Sequence, residues 1–378
     1  MCGTDIGHFS SDFNVIYLRV VQGCNLNCTH CFTLGNRDKY ELASFEQIEK
    51  FLLSIKSHVN PKKAVVYIHG GEPFLAPIDY HRKVNALIRK VMADTYIDII
   101  PQTNLMYKVD AEFINFIKEE YNGQIGVSWD YKIRFGSTTS ALNEALFLSN
   151  FRKIVDAGIE PAVAITVQKY LLEQDPIELV QQLVGAKSID FEFLTFFDEK
   201  TENLRVGNNL WSDYYFKIVK YYAENVTTWS LPLVDLFTKS VQENKIYQCK
   251  CNCCQHRTFT MNCNGTVGLC PDETYFSPLS TVEEMSLNWN AFQKAAQLKY
   301  INQIALPINS LCTTCEYYNY CGGNCEPTLF KEGDLECPMS KKALSYQFSN
   351  IGIFEEKLKL AYLNLTELRK NKEHQTVF

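Results

Sequence analysis

The order of apolar segments predicts an α/β protein with a parallel sheet, followed by a smaller cysteine-rich unit. Two observations carry this expectation. Six short apolar runs alternate with stretches of helical periodicity, the pattern of βα units and a parallel sheet. The fifteen cysteines fall into two zones, three in Cys24–Cys31 and eleven in Cys249–Cys337, with only Cys2 elsewhere and none from Phe32 to Gln248.

The predicted strands are Val15–Val21, Ala64–His69, Tyr96–Gln102, Ile125–Trp129, Ala162–Val167 and Ile189–Phe196. Ser44 with Gln47 forms a capping box that opens a helix through about His58, and Pro61 closes it. Further helices are expected at Tyr80–Met92, Ala111–Glu119 and Leu142–Ala157, the last ended by Gly158. Asp175-Pro176 supplies an N-cap and a first-turn proline for a helix to about Val184. A Tyr/Phe-rich helix follows at Leu210–Glu224. Thr258–Gly268, around Asn264-Gly265, reads as a β-hairpin. Apolar residues from Phe348 to Leu365 at helical spacing predict a C-terminal helix within Lys341–Arg369. The expected division is a tail at 1–13, an α/β unit at 14–235, a cysteine-rich unit at 236–345 and a C-terminal helix and tail at 346–378.

With 378 residues, 46% of them hydrophobic, the chain has ample material for a core. A formal charge of −6 argues against general affinity for nucleic acid or anionic membrane. No apolar run reaches the roughly 20 residues of a membrane-spanning helix, and the N-terminus lacks the pattern of a secretory signal. A cytoplasmic protein is expected, and in that reducing compartment clustered thiols point to metal or redox chemistry rather than disulfides.

Cys24, Cys28 and Cys31 are spaced C-x3-C-x2-C directly after the first strand, where α/β sheets place their ligands. Three thiolates on one loop can hold three irons of a cubane and leave the fourth open. Structural zinc normally takes four protein ligands, and His30, between two of the cysteines, would be a strained fourth donor. Gly70-Gly71-Glu72-Pro73 directly follows the second strand, and its glycines permit close backbone approach to a ligand.

The octet Cys24–Cys31, flanked by Gly23 and Phe32, resembles the signature of the radical SAM enzymes, and Gly70–Pro73 resembles their second motif. The resemblance implies a six-stranded partial (β/α)6 barrel. It also implies a [4Fe–4S] cluster that binds S-adenosylmethionine through its open iron and cleaves it to a 5′-deoxyadenosyl radical. It assigns His30 to the adenine and Gly70, Gly71, Glu72 and Pro73 to the methionine amino group. Gln102-Thr103-Asn104 is similar to the family's Q-T-N-G segment, and Ser128-Trp129-Asp130 to its S-x-D-G segment. By resemblance Thr103, Asn104, Ser128, Asp130 and Arg134 contact the ribose and carboxylate, which an arginine fork suits. Leu105 and Tyr131 stand where the family has Gly.

Cys254, Cys270, Cys312, Cys315, Cys321, Cys325 and Cys337 match the seven-cysteine spacing of the SPASM subfamily. Two interleaved zinc sites are the alternative use of the same thiols. The resemblance implies two auxiliary [4Fe–4S] clusters, for three in all. The outer would take Cys312, Cys315, Cys321 and Cys337. The inner would take Cys254, Cys270, Cys325 and one upstream thiol, Cys249, with Cys251 and Cys253 as alternatives. Cys263 reads as a small buried residue, and Cys2 has no assignment.

The implied activity is that of a radical SAM oxidoreductase, like the anaerobic sulfatase-maturating enzymes. The implied substrate is a ribosomally made peptide, cross-linked or oxidised on a side chain, and the implied electron donor a flavodoxin or ferredoxin. The first strand begins near Asn14, so the N-terminal leader-binding domain of many such enzymes is expected to be absent. A separate protein would then present the peptide, or the barrel would bind it directly. The alternatives are a small substrate, such as an amino sugar or amino acid, and a non-catalytic iron–sulfur electron carrier.

Overall fold

The six expected strands are β1 (Phe13–Val21), β2 (Lys63–Gly70), β3 (Tyr96–Thr103), β4 (Gly126–Trp129), β5 (Ala162–Val167) and β6 (Ser188–Phe193). The structure is a computed structural model that describes residues 9–31, 40–134, 140–194, 199–225, 227–246, 254–304, 310–323 and 336–360. Successive strands pair in parallel. Between them run α1 (Phe45–His58), α2 (Ile78–Val91), α3 (Ala111–Tyr121), α4 (Ser140–Asp156) and α5 (Pro176–Gln182). The capping box forms as read: Gln47 N donates to Ser44 Oγ at 3.1 Å, and Ser44 N donates to Gln47 Oε1 at 3.4 Å. Asp175 Oδ1 likewise accepts from Ile177 N and Glu178 N at 2.8 and 3.1 Å.

Strand periodicity decides which side chains reach the site. On β2, Ala64, Val66 and Ile68 are buried in the main core, which they share with Phe51 of α1 and Ile88 of α2. The alternate residues Tyr67 and His69 line a cavity on the opposite face, as a period of two requires. Ala164 and Thr166 on β5 face the same space.

The sheet does not close on itself. Its order is β6-β5-β4-β3-β2-β1-β7-β8-β9. The expected hairpin is present as β7 (Thr258–Met261) and β8 (Thr266–Gly268), paired antiparallel. The hairpin, expected in the cysteine-rich unit, joins the sheet of the α/β unit: β7 pairs in parallel with β1, Val15 opposite Thr258 through Leu18 opposite Met261. Phe259, Val267 and Phe292 share one core with Ile16 and Ile68. The edge of β1 and the apolar face of the hairpin are thereby covered together.

After β6 come α6 (Glu199–Glu202), α7 (Asn208–Glu224) and α8 (Pro232–Glu243), so the division expected after residue 235 falls inside a helix. The remaining elements are α9 (Cys254–Arg257), α10 (Pro271–Thr274), β9 (Ser280–Thr281), α11 (Val282–Leu287), α12 (Trp289–Ile304), α13 (Ser310–Thr313), α14 (Tyr318–Cys321) and α15 (Lys341–Ser349). The single C-terminal helix expected within Lys341–Arg369 is interrupted at Asn350, which caps α15, and resumes over 351–360. Its residues beyond 360 lie outside the described residues. Among the described residues no helix is long and apolar enough to cross a membrane.

Candidate active site at the C-terminal edge of the sheet

β1 ends at Val21 and delivers the loop of Cys24, Cys28 and Cys31 to the C-terminal edge of the sheet. The loop is fastened by its own polar residues. Asn25 Nδ2 donates to Met106 O at 2.8 Å, Asn104 Nδ2 donates to Asn25 Oδ1 at 2.8 Å, and Cys31 N donates to Cys28 O at 3.2 Å. The thiols are within electrostatic reach of one another: burial pushes the Cys28 thiol up to about 12, Arg134 acting against this and Cys31 and Cys24 adding to it.

Gly70 and Gly71 serve the backbone more directly than expected. A Cβ on Gly71 would stand 2.1 Å from Gly23 O, and one on Gly70 2.2 Å from Val21 O. The turn therefore lies against the segment that enters the cysteine loop, with Gly71 N donating to Val21 O at 2.8 Å and Glu72 N donating to Gly23 O at 2.9 Å. Both glycines also line the cavity.

Glu72 is fully buried. Its carboxylate accepts from Thr103 Oγ1 at 2.8 Å, Asn104 N at 2.8 Å and Phe74 N at 3.1 Å. Burial raises its pKa to about 7, against the opposing effect of these hydrogen bonds. The residue expected to face the cofactor is thus committed to the end of β3, while Pro73 is buried and its carbonyl accepts from His81 Nε2 at 2.9 Å. Leu105, where the resembled family has Gly, keeps the left-handed conformation with φ 59°. The second such position falls at Lys132 (φ 61°) rather than Tyr131.

Asp130 is also committed. It is 1% exposed and accepts from Arg134 Nε at 2.7 Å, from Arg134 Nη2 and from Thr166 N at 2.8 Å, with His30 Nε2 at 3.3 Å. Burial opposes its charge, but Arg134 and His30 override this and hold the carboxyl well below the usual range. Asp130 thereby orients two cavity-lining residues, Arg134 and His30, rather than lining the cavity itself. Arg134 Nη1 reaches Cys28 Sγ at 3.9 Å. Ser128 Oγ accepts from Gln102 Nε2 at 2.8 Å and lines the cavity with Thr103 and Asn104.

The cavity measures about 470 Å³, inside the range of about 300–1,000 Å³ usual for small-molecule sites. Much of its lining lies outside the motifs of the sequence. Tyr17 and Tyr67 stack at 5.1 Å between ring centroids on the inner faces of β1 and β2. Asp190 and Glu192 stand two residues apart on β6, with Asp272 contributed by α10. Glu192 is open to the cavity yet enclosed by protein, and its pKa is raised to about 8, by desolvation first and then by Asp190 and Asp272. The only signal available was the alternation of β6, which places its acidic residues on one face.

Residues 18–131 match the Radical SAM superfamily. The chain carries a radical SAM domain. The chain is 31% identical over 136 residues to the serine-type anaerobic sulfatase-maturating enzyme of Bacteroides thetaiotaomicron, a match covering 34% of this chain and 32% of that enzyme. The chain thus spans about a third of the length of that relative. Among solved structures, anSMEcpe with bound AdoMet and the Cp18Cys peptide shares the fold, with TM-score 0.70, 19% identity, and 91% of this chain and 99% of that chain covered. Streptococcus suis SuiB bound to the precursor peptide SuiA is similar at TM-score 0.57 and 15% identity, covering 86% and 76%.

The residues of the radical SAM domain fit the cofactors its family uses. His30 directs Nε2 to Asp130 at 3.3 Å, which fixes the ring in the wall of the cavity. Its Nδ1 is buried with no hydrogen-bond partner among the described residues, on a side chain that lines the cavity. An orphaned polar atom at a ligand site fits a ligand group. Among the described residues no three His, Cys, Asp or Glu converge on a single metal ion, whereas a cubane takes its thiolates at separate irons.

Beyond the radical SAM domain, Cys321 is buried with Phe237, Tyr317, Met339 and Leu344, and Cys315 and Cys337 pack against them. Burial pushes the Cys321 thiol up to about 12, with Cys312 and Cys315 adding to the effect. Cys315, Cys321 and Cys337 are thus gathered between α8, α14 and α15, with Cys312 within electrostatic reach of Cys321. Trp211 Nε1 donating to Pro338 O at 2.8 Å and Asn208 Nδ2 donating to Glu336 O at 3.0 Å fix the Cys337 segment to α7. Of the expected inner set, Cys270 follows β8 at the N-terminus of α10. Cys249, Cys251, Cys253 and Cys325 lie outside the described residues, as does Cys2, and of Cys254 only the backbone, at the start of α9, is described. Cys263 is buried, with its thiol 3.2 Å from Glu41 O, as a small core residue.

Proposed function

We propose that the chain is an S-adenosylmethionine-dependent radical oxidoreductase that modifies a peptide. One [4Fe–4S] cluster is assigned to Cys24, Cys28 and Cys31, and two auxiliary clusters to the second cysteine zone. The observation that carries this reading is the three-thiol loop at the edge of a parallel sheet, beside Arg134 and above a cavity lined from β1 to β6. Bound together, the cluster and S-adenosylmethionine supply one-electron chemistry that yields a 5′-deoxyadenosyl radical for hydrogen abstraction.

The protein's part is to bind and orient. His30 offers Nδ1 to the nucleoside, Arg134, whose Nε and Nη2 are held by Asp130, offers Nη1 to the carboxylate, and Thr103, Asn104, Ser128, Gly70 and Gly71 complete the lining. Asp130 holds His30 and Arg134 in place, and Glu72 holds the β3 end. A peptide substrate is supported by the peptides bound in the anSMEcpe and SuiB structures. The acidic lining of Asp190, Glu192 and Asp272 suits a peptide that carries basic residues. A flavodoxin or ferredoxin is the proposed electron donor.

The test is anaerobic incubation of reduced protein with S-adenosylmethionine, and co-expression with short peptides encoded beside the gene. Formation of 5′-deoxyadenosine and a peptide lighter by about two hydrogens, as one oxidative cross-link requires, is the expected result. Intact S-adenosylmethionine would sink the enzymatic reading. Unchanged peptides with turnover of a free amino sugar or amino acid would replace the peptide by a small substrate.

A further inference from the structure

Arg19 stands on β1 five residues before Cys24, and its side chain is buried, with the residue 3% exposed. Nη1 donates to Asn262 Oδ1 at 2.7 Å and Nη2 donates to Pro271 O. Asn262 is held in turn, donating to Thr266 Oγ1 at 2.8 Å and to Thr274 O at 3.1 Å. Pro271 directly follows Cys270, so one guanidinium fork fastens the turn of Cys270 and Asp272 to the strand that leads into Cys24–Cys31. Cys31, Pro271 and Asp272 line the same cavity, and Arg19 lies within electrostatic reach of Asp272, Cys270 and Cys31. It is a buried cation whose fork is fixed one residue from Cys270 and whose charge reaches a thiol of each cysteine zone.

A guanidinium remains charged in proteins. Away from water, its field on neighbouring charges is far stronger than in solvent. A metal centre with thiolate ligands becomes more negative when it accepts an electron, and a fixed cation nearby favours that state. We propose that Arg19 is a positioning residue that locks the Cys270 turn to β1 and raises the reduction potential of the cluster at Cys24, Cys28 and Cys31. The inference rests on the cluster assignment proposed above.

The test is a redox titration, followed by electron paramagnetic resonance, of the reconstituted full-length chain and of its Arg19→Gln and Arg19→Lys variants, with iron counted per chain. Arg19→Gln is expected to shift the first cluster to lower potential. Arg19→Lys, which keeps the charge and loses the fork, is expected to restore most of that shift. Equal potentials in all three proteins, or the same shift in both variants, overturns the proposal. Should Arg19→Gln load no iron, Arg19→Met supplies the neutral comparison: a potential lowered in it and near native in Arg19→Lys supports the charge role, and a native potential in it, or a lowered one in Arg19→Lys, overturns it. Wild-type protein that takes up no cluster would refute the functional reading instead, which keeps the two failures apart.

Discussion

Glu72, Asp130 and Arg19 are buried side chains whose work is to hold other residues. Replacing Glu72 by Ala leaves Asn104 N and Phe74 N without their acceptor and leaves Thr103 Oγ1 only Tyr107 Oη as a side-chain partner. Each buried orphan costs about 1–3 kcal/mol, so Glu72→Ala is expected to lose roughly 3 kcal/mol or more of stability by chemical denaturation. An unchanged midpoint would show that the carboxylate is not the clasp. Its pH dependence has a definite sign. The folded pKa of about 7 exceeds the ordinary carboxyl value of 4.5, so the folded state holds its proton longer than the unfolded state. Stability should fall as pH rises from about 4.5 to 7 and level off above, by linkage. Glu72→Gln should remove that slope, and equal slopes in both proteins would contradict the assignment. At this scale the sequence singled out Glu72 and Asp130 but not Arg19, and it did not show what any of them touches. Asp130 and Glu72 stand in motifs, yet the structure turns their carboxylates to protein donors.

At the scale of elements, the tight fit of the Gly70-Gly71 turn against Val21–Gly23 makes Gly71→Ala a sharp test. Its Cβ would meet backbone oxygen at 2.1 Å, and neither strand can retreat without breaking the β1–β2 pairing. Gly71→Ala should lower the melting temperature strongly and empty the first iron site. The matched control is Gly123→Ala, with φ 69° and open space around its Cβ, which should cost only about 1–2 kcal/mol. Similar losses in the two variants would count against the packing argument. The hairpin gives a second test, because Phe259 on β7 is fully buried against Phe9 and Trp289. Phe259→Ala should cost about 3–5 kcal/mol by cavity formation. Because β7 pairs with β1, it should also weaken iron retention at the Cys270 zone. Retention as in wild type would show that the hairpin does not anchor that zone.

For the whole molecule, the two cysteine zones are connected by the β1–β7 pairing and by Arg19. Three cubanes correspond to about twelve irons per chain, and replacing Cys24, Cys28 and Cys31 together by Ala should leave about two-thirds of them. That variant should form no 5′-deoxyadenosine. Iron near four per wild-type chain, or stoichiometric zinc, would rule out the auxiliary clusters.

The α/β class, the six strands and the hairpin were legible because each is written in local pattern: alternation, capping residues, turn dipeptides. The cysteine loop was legible for the same reason, since its spacing is contained in eight consecutive residues. Sheet order beyond β6 was not, because the Val15–Thr258 register joins residues 243 apart, which no local periodicity encodes. The interior of the cavity was hidden too. Tyr17, Asp190, Glu192 and Asp272 lie on separate elements, and only the packed sheet brings them to one space. Arg19 looked like an ordinary strand residue until tertiary structure placed Asn262 and Pro271 within reach of its fork. Local chemistry is set by neighbours in sequence, whereas the partners of a buried charge are set by which strands pair.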